Sequence, residues 1–261
     1  MNSSEEKLTV SLVQHNLKWE DSAANRNVFS DLFKDIPETD LVILPEMFST
    51  GFSMDSKSLA ETMEGPTIQW MKSQAEKYQA ALCGSLIIKE QQAFYNRFVF
   101  VAANGELRHY DKKHLFRMSN EHQFYQAGNS KITISLKGFR IRPQICYDLR
   151  FPVWSRNSGT YDLLIYVANW PKKRREHWLS LLQARAIENQ SYVIGLNRLG
   201  IDGNEIEYSG DSCIFDYDGN CLLNLESQSS IQTLTLRKTP LIDYRRTFPA
   251  WMDAEKFIFI E

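Results

Sequence analysis

Short apolar runs that alternate with amphipathic helical segments constrain the fold of this chain more than any other feature. Residues 41–44 and 163–168 are wholly apolar, which is typical of strands buried in a sheet. Pro66 suits the first position of a helix that continues to about residue 78, and Asp21 suits the N-cap of a helix that runs to about residue 34. The alternation predicts an α/β fold with a mixed sheet structure covered by helices, a layered sandwich.

Further strands, one hairpin turn and another helix complete this pattern. Trp178, Leu182 and Ala186 recur at helical spacing in a segment that ends near Asn189. The pair Asn104-Gly105 indicates a hairpin turn. The remaining predicted strands are residues 8–14, 81–88, 95–102, 107–110, 132–136, 139–145, 191–197, 212–216, 221–225 and 231–236.

Size and composition favour a single domain over residues 1–261. A chain of 261 residues with 43% hydrophobic and 24% charged residues suits one large α/β domain with a sizeable core. A net charge of -2 provides no electrostatic surface for nucleic acid or an anionic membrane. The apolar runs are too short to span a bilayer, and residues 1–7 do not resemble a signal peptide, so we expect a cytoplasmic protein.

The cysteines and histidines show no pattern typical of a disulfide framework or a metal site. None of Cys83, Cys146, Cys213 and Cys221 lies in a C-x-x-C pair, and cytoplasmic chains of this size keep their thiols reduced. The five histidines lack the H-E-x-x-H and zinc-finger spacings. We therefore expect no disulfide, no metal and no cofactor.

Cys146 stands at the end of an apolar strand and directly before an acidic turn that contains Asp148. A strand that turns sharply into a helix exposes the side chain at the turn and directs backbone N–H groups at it. Residues 151–156 are typical of the first helical turn after such a strand. This position suits a nucleophile, because those N–H groups stabilise a thiolate and a tetrahedral oxyanion. An ordinary buried cysteine is the alternative.

Three further polar sites share this position at the end of a strand. Glu46 and the segment Asn169-Trp170-Pro171 each follow a wholly apolar run, and the pair Lys112 and Lys113 follows the strand that ends near residue 110. Ligand crevices of α/β sheets form at that edge. A carboxylate, an ammonium and a thiol that converge there supply a base, an oxyanion stabiliser and a nucleophile. Taken singly, Glu46 and Lys112 also fit solvated loop residues, and Trp170 fits a core residue.

Three blocks of sequence carry these residues: Leu44-Pro45-Glu46-Met47, Tyr110-Asp111-Lys112-Lys113-His114-Leu115-Phe116 and Cys146-Tyr147-Asp148-Leu149-Arg150-Phe151-Pro152. Downstream, the segments Asn169-Trp170-Pro171 and His177-Trp178 extend the pattern. Together they resemble the nitrilase superfamily, the carbon–nitrogen hydrolases with a Glu-Lys-Cys triad, over nearly the whole chain. Within that superfamily the chain is similar to the omega-amidase branch.

The resemblance implies catalytic roles, an architecture and an assembly. The family's catalytic lysine stands two residues before the histidine of its K-x-H-L-F block, which selects Lys112 beside the base Glu46 and the nucleophile Cys146. A second glutamate is implied as well, and Glu121 is the best candidate. The implied fold is a four-layer α-β-β-α sandwich with mixed sheets, which commonly forms a homodimer. Pro143 departs from the family, which usually has a glycine shortly before the cysteine, and a proline there must forgo a ladder bond.

The resemblance also implies a small-molecule substrate. Omega-amidases hydrolyse the terminal amide of short dicarboxylic monoamides such as 2-oxoglutaramate, through a thioester. The far carboxylate of such a substrate needs a cation, and Arg150 stands four residues after the nucleophile, where a guanidinium can bind it bidentately. Trp170 is a candidate to line the pocket and Phe116 a weaker one, while the backbone N–H of Tyr147 is a candidate oxyanion donor.

Several alternatives remain open on the sequence alone. Arg150 also fits an ion pair with Asp148 or Asp162, and the basic run 172–175 fits a solvated face better than a site that attracts anions. A Cys-His hydrolase would use His114 as its base. Other members of the superfamily, such as nitrilases, aliphatic amidases and N-carbamoyl amidohydrolases, share the triad. A non-catalytic binding protein on this fold is the least favoured alternative.

The C-terminal segment 247–261 is rich in aromatic residues, namely Phe248, Trp251, Phe257 and Phe259. Such a segment is expected to dock, either on its own domain or across a dimer.

Overall fold

The computed structural model describes residues 6–255, and two six-stranded sheets form the centre of that range. The strands are β1 (Lys7–Gln14), β2 (Leu41–Ile43), β3 (Ala81–Glu90), β4 (Ala93–Val101), β5 (Leu107–Asp111), β6 (Ile134–Leu136), β7 (Phe139–Ile145), β8 (Leu163–Ala168), β9 (Tyr192–Asn197), β10 (Leu199–Ile201), β11 (Glu207–Ser209), β12 (Cys213–Phe215), β13 (Cys221–Asn224) and β14 (Ser230–Arg237). The first sheet has the order β14-β1-β2-β3-β4-β5, the second has the order β13-β12-β9-β8-β7-β6, and β10 pairs with β11 alone.

Helices cover the outer faces of the sheets, and short 3-10 turns connect several elements. The helices are α1 (Ser22–Leu32), α2 (Ser56–Leu59), α3 (Pro66–Tyr78), α4 (Glu121–Phe124), α5 (Pro152–Ser155), α6 (Arg175–Asn189) and α7 (Lys238–Thr247). The 3-10 turns are Phe33–Asp35, Arg117–Ser119, Cys146–Arg150, Lys172–Arg174 and Ala250–Asp253.

Side-chain alternation along the strands builds the layers. Leu41 and Ile43 of β2 join the core between the two sheets, whereas Val42 and Leu44 face the opposite way and pack with α1 and α3. On the second sheet, a Cβ built at Gly195 of β9 would collide with side chains of α6, so that helix lies close against the strand. The layers are therefore helix, sheet, sheet and helix, as in the predicted sandwich.

Parallel strands lie at the centre of each sheet and bring their carboxyl ends to one edge. In the first sheet, β1 and β3 run parallel to β2, and in the second sheet β7 and β9 run parallel to β8. The polar segments that follow β2, β7 and β8 consequently emerge at the same end of the sandwich.

Local signals in the sequence account for most of the element boundaries. The Asp21 side chain accepts a hydrogen bond from the Ala24 N–H at 2.9 Å and caps α1, and Pro66 is the first residue of α3. The strand β7 ends at Ile145 as predicted, but the helix expected at 151–156 is only the single turn α5, which follows a 3-10 turn. The sequence pattern did not indicate α7, which carries a proline in its first turn, or the very short strands β10 and β11.

Pro143 lies within β7 without breaking the sheet. Leu136 and Phe139 pair across the two-residue turn, so Phe139, Ile141 and Pro143 direct their backbone N atoms towards β6. Pairing with β6 stops at Ile141, while pairing with β8 continues to Ile145. The missing N–H therefore falls where no neighbouring strand would accept it.

The described part of the C-terminal segment lies beside the C-terminal end of α6. Gln190 holds it through a bond from its Nε2 to the Phe248 carbonyl at 2.7 Å, and Phe248 and Trp251 remain largely exposed. Phe257 and Phe259 lie outside the described residues, so docking of the whole segment stays a prediction. None of the helices between residues 6 and 255 has the length and apolar character needed to cross a lipid bilayer.

Replacing Leu182 of α6 with alanine tests the packing of the outer helix on β9. Leu182 is fully buried, so Leu182→Ala is expected to lower the free energy of unfolding by about 2–5 kcal/mol, measured by urea denaturation. Leu222→Ala on β13 is the matched control, because Leu222 is 43% exposed and its loss should cost roughly 0.5 kcal/mol or less. Equal losses in the two variants would contradict the packing described.

Candidate active site

Glu46 is fully buried at the edge where the two sheets meet. It follows β2 through Leu44 and Pro45, and the next residue, Met47, has a left-handed φ of 43° that turns the chain sharply. One carboxylate oxygen, Oε2, accepts the backbone N–H of Asn169 at 2.7 Å. The Asn169 side chain donates to the Glu46 carbonyl, also at 2.7 Å. These bonds join the ends of β2 and β8, and thus the two sheets.

Lys112 lies between two buried glutamates. It follows β5, its side chain is 1% exposed, and its Nζ is 2.8 Å from Glu46 Oε1 and 3.0 Å from Glu121 Oε1. Asn96 of β4 donates its Nδ2 to the same two oxygens at 2.7 and 3.2 Å. Glu121, at the start of α4, accepts the Phe116 N–H at 2.6 Å on its other oxygen. One ammonium thus links two carboxylates that are both removed from water.

Charge and burial set the protonation of this cluster. Burial alone would lower the pKa of Lys112, but the carboxylates of Glu121 and Glu46 outweigh it and raise that pKa, so the ammonium stays charged. Burial raises the pKa of Glu121, which the lysine opposes and the Glu46 charge reinforces. The cluster therefore keeps a permanent cation next to an acid whose proton affinity is increased.

Cys146 follows β7 directly and is held in an unusual backbone conformation. Its φ is 43°, in the left-handed region that non-glycine residues seldom adopt, and such strain is typical of functional positions. Its Sγ is 3.8 Å from the carbonyl oxygen of Asn169. Burial raises the pKa of the thiol, Glu46 raises it further, and Lys112 lowers it. The resting thiol is thus protonated and depends on a neighbouring base for ionisation.

Asp148, two residues after the cysteine, ties this turn to the lysine segment. Its carboxylate accepts the Tyr110 hydroxyl at 2.8 Å and the Ile145 N–H at 3.1 Å. It also accepts the backbone N–H and the ring Nδ1–H of His114, at 2.9 and 2.7 Å. Fully buried, Asp148 fixes the position of Cys146 relative to Lys112.

A cavity of about 320 Å³ opens next to this cluster, a size typical of small-molecule sites. Cys146 and Lys112 reach it, together with every residue predicted to bind substrate. Its lining is largely aromatic and aliphatic, with two guanidinium groups. The lining residues are Phe52, Met54, Lys112, Phe116, Ser119, Cys146, Tyr147, Arg150, Asn169, Trp170, Pro171, Arg174, Asp202, Asn204, Ile206 and Tyr208.

Arg150 reaches the cavity without an ion pair to either acid considered from the sequence. Asp148 is committed to the lysine segment, and Asp162 binds Arg140 and Arg245. Arg150 instead lies with its Cζ 5.1 Å from the Trp170 ring centroid and its Nη2 2.8 Å from His177 Nδ1. Its guanidinium is available to an anion in the cavity.

The aromatic candidates form one wall. Phe116 and Tyr147 contact edge to face, with ring centroids 4.9 Å apart. Trp170 is 3% exposed and donates its Nε1 to the Arg174 carbonyl at 2.8 Å. Trp170 is therefore at once a core residue and a wall of the cavity.

His114 and Lys113 lie away from the cavity, outside its lining. The ring of His114 stacks on Phe151 at 3.9 Å and bonds Asp148. The Nζ of Lys113 lies 5.2 Å from the Trp154 ring centroid. This geometry favours Glu46 over His114 as the base.

Several site residues were missed in the sequence. Asn96 could have been noticed as an amide within a largely apolar strand, and Asp148 was considered only as part of the acidic turn and as a possible partner of Arg150. The loop from Asp202 to Tyr208 gave no signal, because only the tertiary fold brings it to the cavity. No group of three or more His, Cys, Asp or Glu side chains within residues 6–255 is arranged to hold a metal ion.

The arrangement as a whole suits nucleophilic catalysis on a polarised carbonyl. A thiol lies beside a buried carboxylate and a charged ammonium, at the wall of a cavity of suitable size.

The chain is similar to known carbon–nitrogen hydrolases and amidases over almost its full length. A family model described as carbon–nitrogen hydrolase matches residues 9–239. The chain is 42% identical over 251 residues to omega-amidase YafV of Escherichia coli strain K12, which covers 96% of this chain and 98% of that protein. It is 29% identical over 259 residues to the 2-oxoglutaramate amidase of Bacillus subtilis strain 168, which covers 97% and 100%.

A solved structure agrees with the fold. A CN-hydrolase superfamily protein from Xanthomonas campestris, whose structure has an arsenic adduct in the active site, is 42% identical to this chain. The two superpose with a TM-score of 0.94, over 97% of this chain and 99% of that one. The fold predicted from the sequence, with two large mixed sheets in a layered sandwich, is confirmed.

Alkylation of Cys146 by iodoacetamide tests the electrostatics of the cluster. Lys112→Gln removes the charge that lowers the thiol pKa, so alkylation at pH 7 should become about tenfold slower or more. Mass spectrometry of peptides follows each thiol, and the exposed Cys221 serves as an internal control. Unchanged or faster alkylation of Cys146 in Lys112→Gln would refute the charge arrangement.

Proposed function

The chain belongs to the carbon–nitrogen hydrolase family and is a hydrolase that acts on amides, and from that premise we propose that it is an omega-amidase. Its substrates are short dicarboxylic monoamides such as 2-oxoglutaramate, whose terminal amide it converts to the acid and ammonia. The observation that carries the proposal is the meeting of Glu46, Lys112 and Cys146 beside a small cavity that also contains Arg150.

In the first half-reaction Glu46 takes the thiol proton of Cys146, and the thiolate attacks the amide carbon. The carbonyl electrons move to oxygen, and the oxyanion is held by the Lys112 ammonium and the backbone N–H of Tyr147. Each such donor contributes about 3 kcal/mol to the transition state. The intermediate collapses with cleavage of the C–N bond, Glu46 returns its proton to the nitrogen, and ammonia leaves a thioester.

In the second half-reaction Glu46 takes a proton from water, and the resulting hydroxide attacks the thioester carbon. Cleavage of the C–S bond releases the acid, and the proton returns to the sulfur. The fixed position of Glu46 supports both steps, because Asn169, Asn96 and Lys112 hold its oxygens. Glu121 acts as a second carboxylate on the lysine, which it keeps charged and aligned.

The cavity supports a short anionic substrate. Its volume of about 320 Å³ suits a chain of a few carbons, and Trp170 and Phe116 provide apolar contact along it. The Arg150 guanidinium offers a bidentate partner to the far carboxylate. The names of the Escherichia coli and Bacillus subtilis relatives favour the same substrate class. Another activity of the superfamily, such as that of an aliphatic amidase, is the second candidate, because the triad alone fits both.

Replacing Cys146 with alanine is expected to abolish ammonia release from 2-oxoglutaramate, because no other group forms the thioester. Mass spectrometry of the rapidly quenched wild-type protein should show the acyl adduct on Cys146, and the variant should lack it. Glu46→Gln should reduce the rate about 10²- to 10⁴-fold, as expected for loss of a general base. Cys221→Ala is the matched control and should keep the wild-type rate. Hydrolysis by Cys146→Ala would end the proposal.

Replacing Arg150 with glutamine should separate charged from uncharged substrates. We expect kcat/KM for 2-oxoglutaramate to fall roughly tenfold or more beyond any fall for butyramide, which has no carboxylate to bind. Arg108→Gln, at a position with 61% side-chain exposure, is the matched control. Equal losses on the two substrates would contradict carboxylate recognition by Arg150.

A further inference from the structure

Arg174 is a second guanidinium in the cavity. It ends the 3-10 turn that follows Pro171, and its Cζ lies 5.4 Å from the ring centroid of Phe116. Its carbonyl accepts the Trp170 indole N–H, which fixes the turn against the cavity wall. The side chain is therefore held where it faces the same space as Cys146.

The neighbouring cations of the basic run do not share this position. Lys172 binds Glu207 at 2.7 Å, and Arg175 binds Asp211 through bonds of 2.8 and 2.9 Å. Lys173 is exposed and does not line the cavity. Within residues 6–255, Arg174 has no carboxylate within ion-pair distance. Of the basic run 172–175, only Arg174 is therefore placed to attract an anion into the cavity.

Within the described residues, Asp202 is the one acidic residue that lines the cavity. The buried cation Arg198 lies behind it and balances its charge. Asp202 accepts the N–H groups of Asn204 and Ile206 on one oxygen and the Tyr208 hydroxyl on the other. The fully buried Arg198 lies beneath, with its Cζ 4.8 Å from the Tyr208 ring centroid. Asp202 is committed to holding its loop, and it leaves Arg150 and Arg174 as the charges available to the far end of a substrate.

Two guanidiniums at that end discriminate between substituents at position 2 of the substrate. A carboxylate occupies one guanidinium bidentately, and an adjacent 2-oxo group presents a second pair of acceptors, its own oxygen and the nearer carboxylate oxygen. A 2-ammonium group, as in glutamine, presents donors and a positive charge, which both arginines repel. A substrate without a substituent at position 2 leaves the second guanidinium partly unused.

We propose that Arg174 binds the 2-oxo group of the substrate and so makes the enzyme select 2-oxo acid amides over 2-amino acid amides. The inference rests on the proposed omega-amidase function and adds a specificity-determining residue to it. Arg150 binds the carboxylate, and Arg174 binds the 2-oxo oxygen on the adjacent carbon. The substrate must then come from a reaction that converts the 2-amino group of an amino acid amide to a 2-oxo group.

Kinetics of Arg174→Gln on three substrates tests the proposal. The value of kcat/KM should fall about tenfold or more for 2-oxoglutaramate, mainly through KM, and much less for glutaramate, which lacks the 2-oxo group. The ratio of glutamine to 2-oxoglutaramate turnover should rise. Lys173→Gln removes an adjacent charge outside the cavity and should leave all three values unchanged. Equal losses of Arg174→Gln on 2-oxoglutaramate and glutaramate, or the same pattern in Lys173→Gln, would overturn the assignment.

A binding measurement tests recognition of the 2-oxo group independently of whether the protein is an omega-amidase. Calorimetry on Cys146→Ala should show tighter binding of 2-oxoglutarate than of glutarate, and adding Arg174→Gln should remove that preference. If the preference is absent with Arg174 in place, the inference fails even in an active omega-amidase. If the preference is present but the wild-type protein does not hydrolyse 2-oxoglutaramate, the proposed reaction fails and the recognition of 2-oxo acids stands.

Discussion

The contact of one lysine ammonium with two carboxylates, sealed between the sheets, is the interaction on which the rest of this structure depends. Moving three charges out of water costs several kcal/mol for each ion, and only a complete set of partners offsets that cost. Asn96, Asn169 and the Phe116 N–H provide the remaining partners. These groups come from both sheets and from the loop before α4, so the cluster forms only when the whole sandwich is assembled.

In the proposed mechanism, the same cluster lets a poorly acidic thiol serve as a nucleophile. Burial and the Glu46 charge keep Cys146 protonated at rest, which protects it from adventitious reaction. The Lys112 charge lowers the thiol pKa and so favours the thiolate, and in the proposed mechanism it also stabilises the oxyanion. Under that mechanism, Glu46 keeps the resting thiol protonated and Lys112 stabilises the charge that forms during the reaction.

The sequence predicted those parts of the fold and site that depend on local order along the chain. Apolar runs located β2 and β8, Asp21 and Pro66 located the starts of helices, and the end-of-strand positions located Glu46 and Cys146. Asn96 and Arg174 escaped because their neighbours in sequence say nothing of what they face. Whether a buried amide or an arginine contacts a site depends on how two sheets and a distant loop pack, and no local pattern contains that information. Glu121 was predicted only from the resemblance to a known family, because its position in the sequence did not by itself indicate a role.

The hydrogen bonds of Asp148 have a consequence for the way this protein is inactivated by heat. It receives hydrogen bonds from the end of β5 in one sheet and from the end of β7 in the other, and it holds the backbone of a residue in a strained conformation between them. Separation of the sheets at this edge would release the strain and free the thiol at the same moment. Loss of activity on heating and exposure of the Cys146 thiol are therefore expected to occur together, when the two sheets separate at this edge.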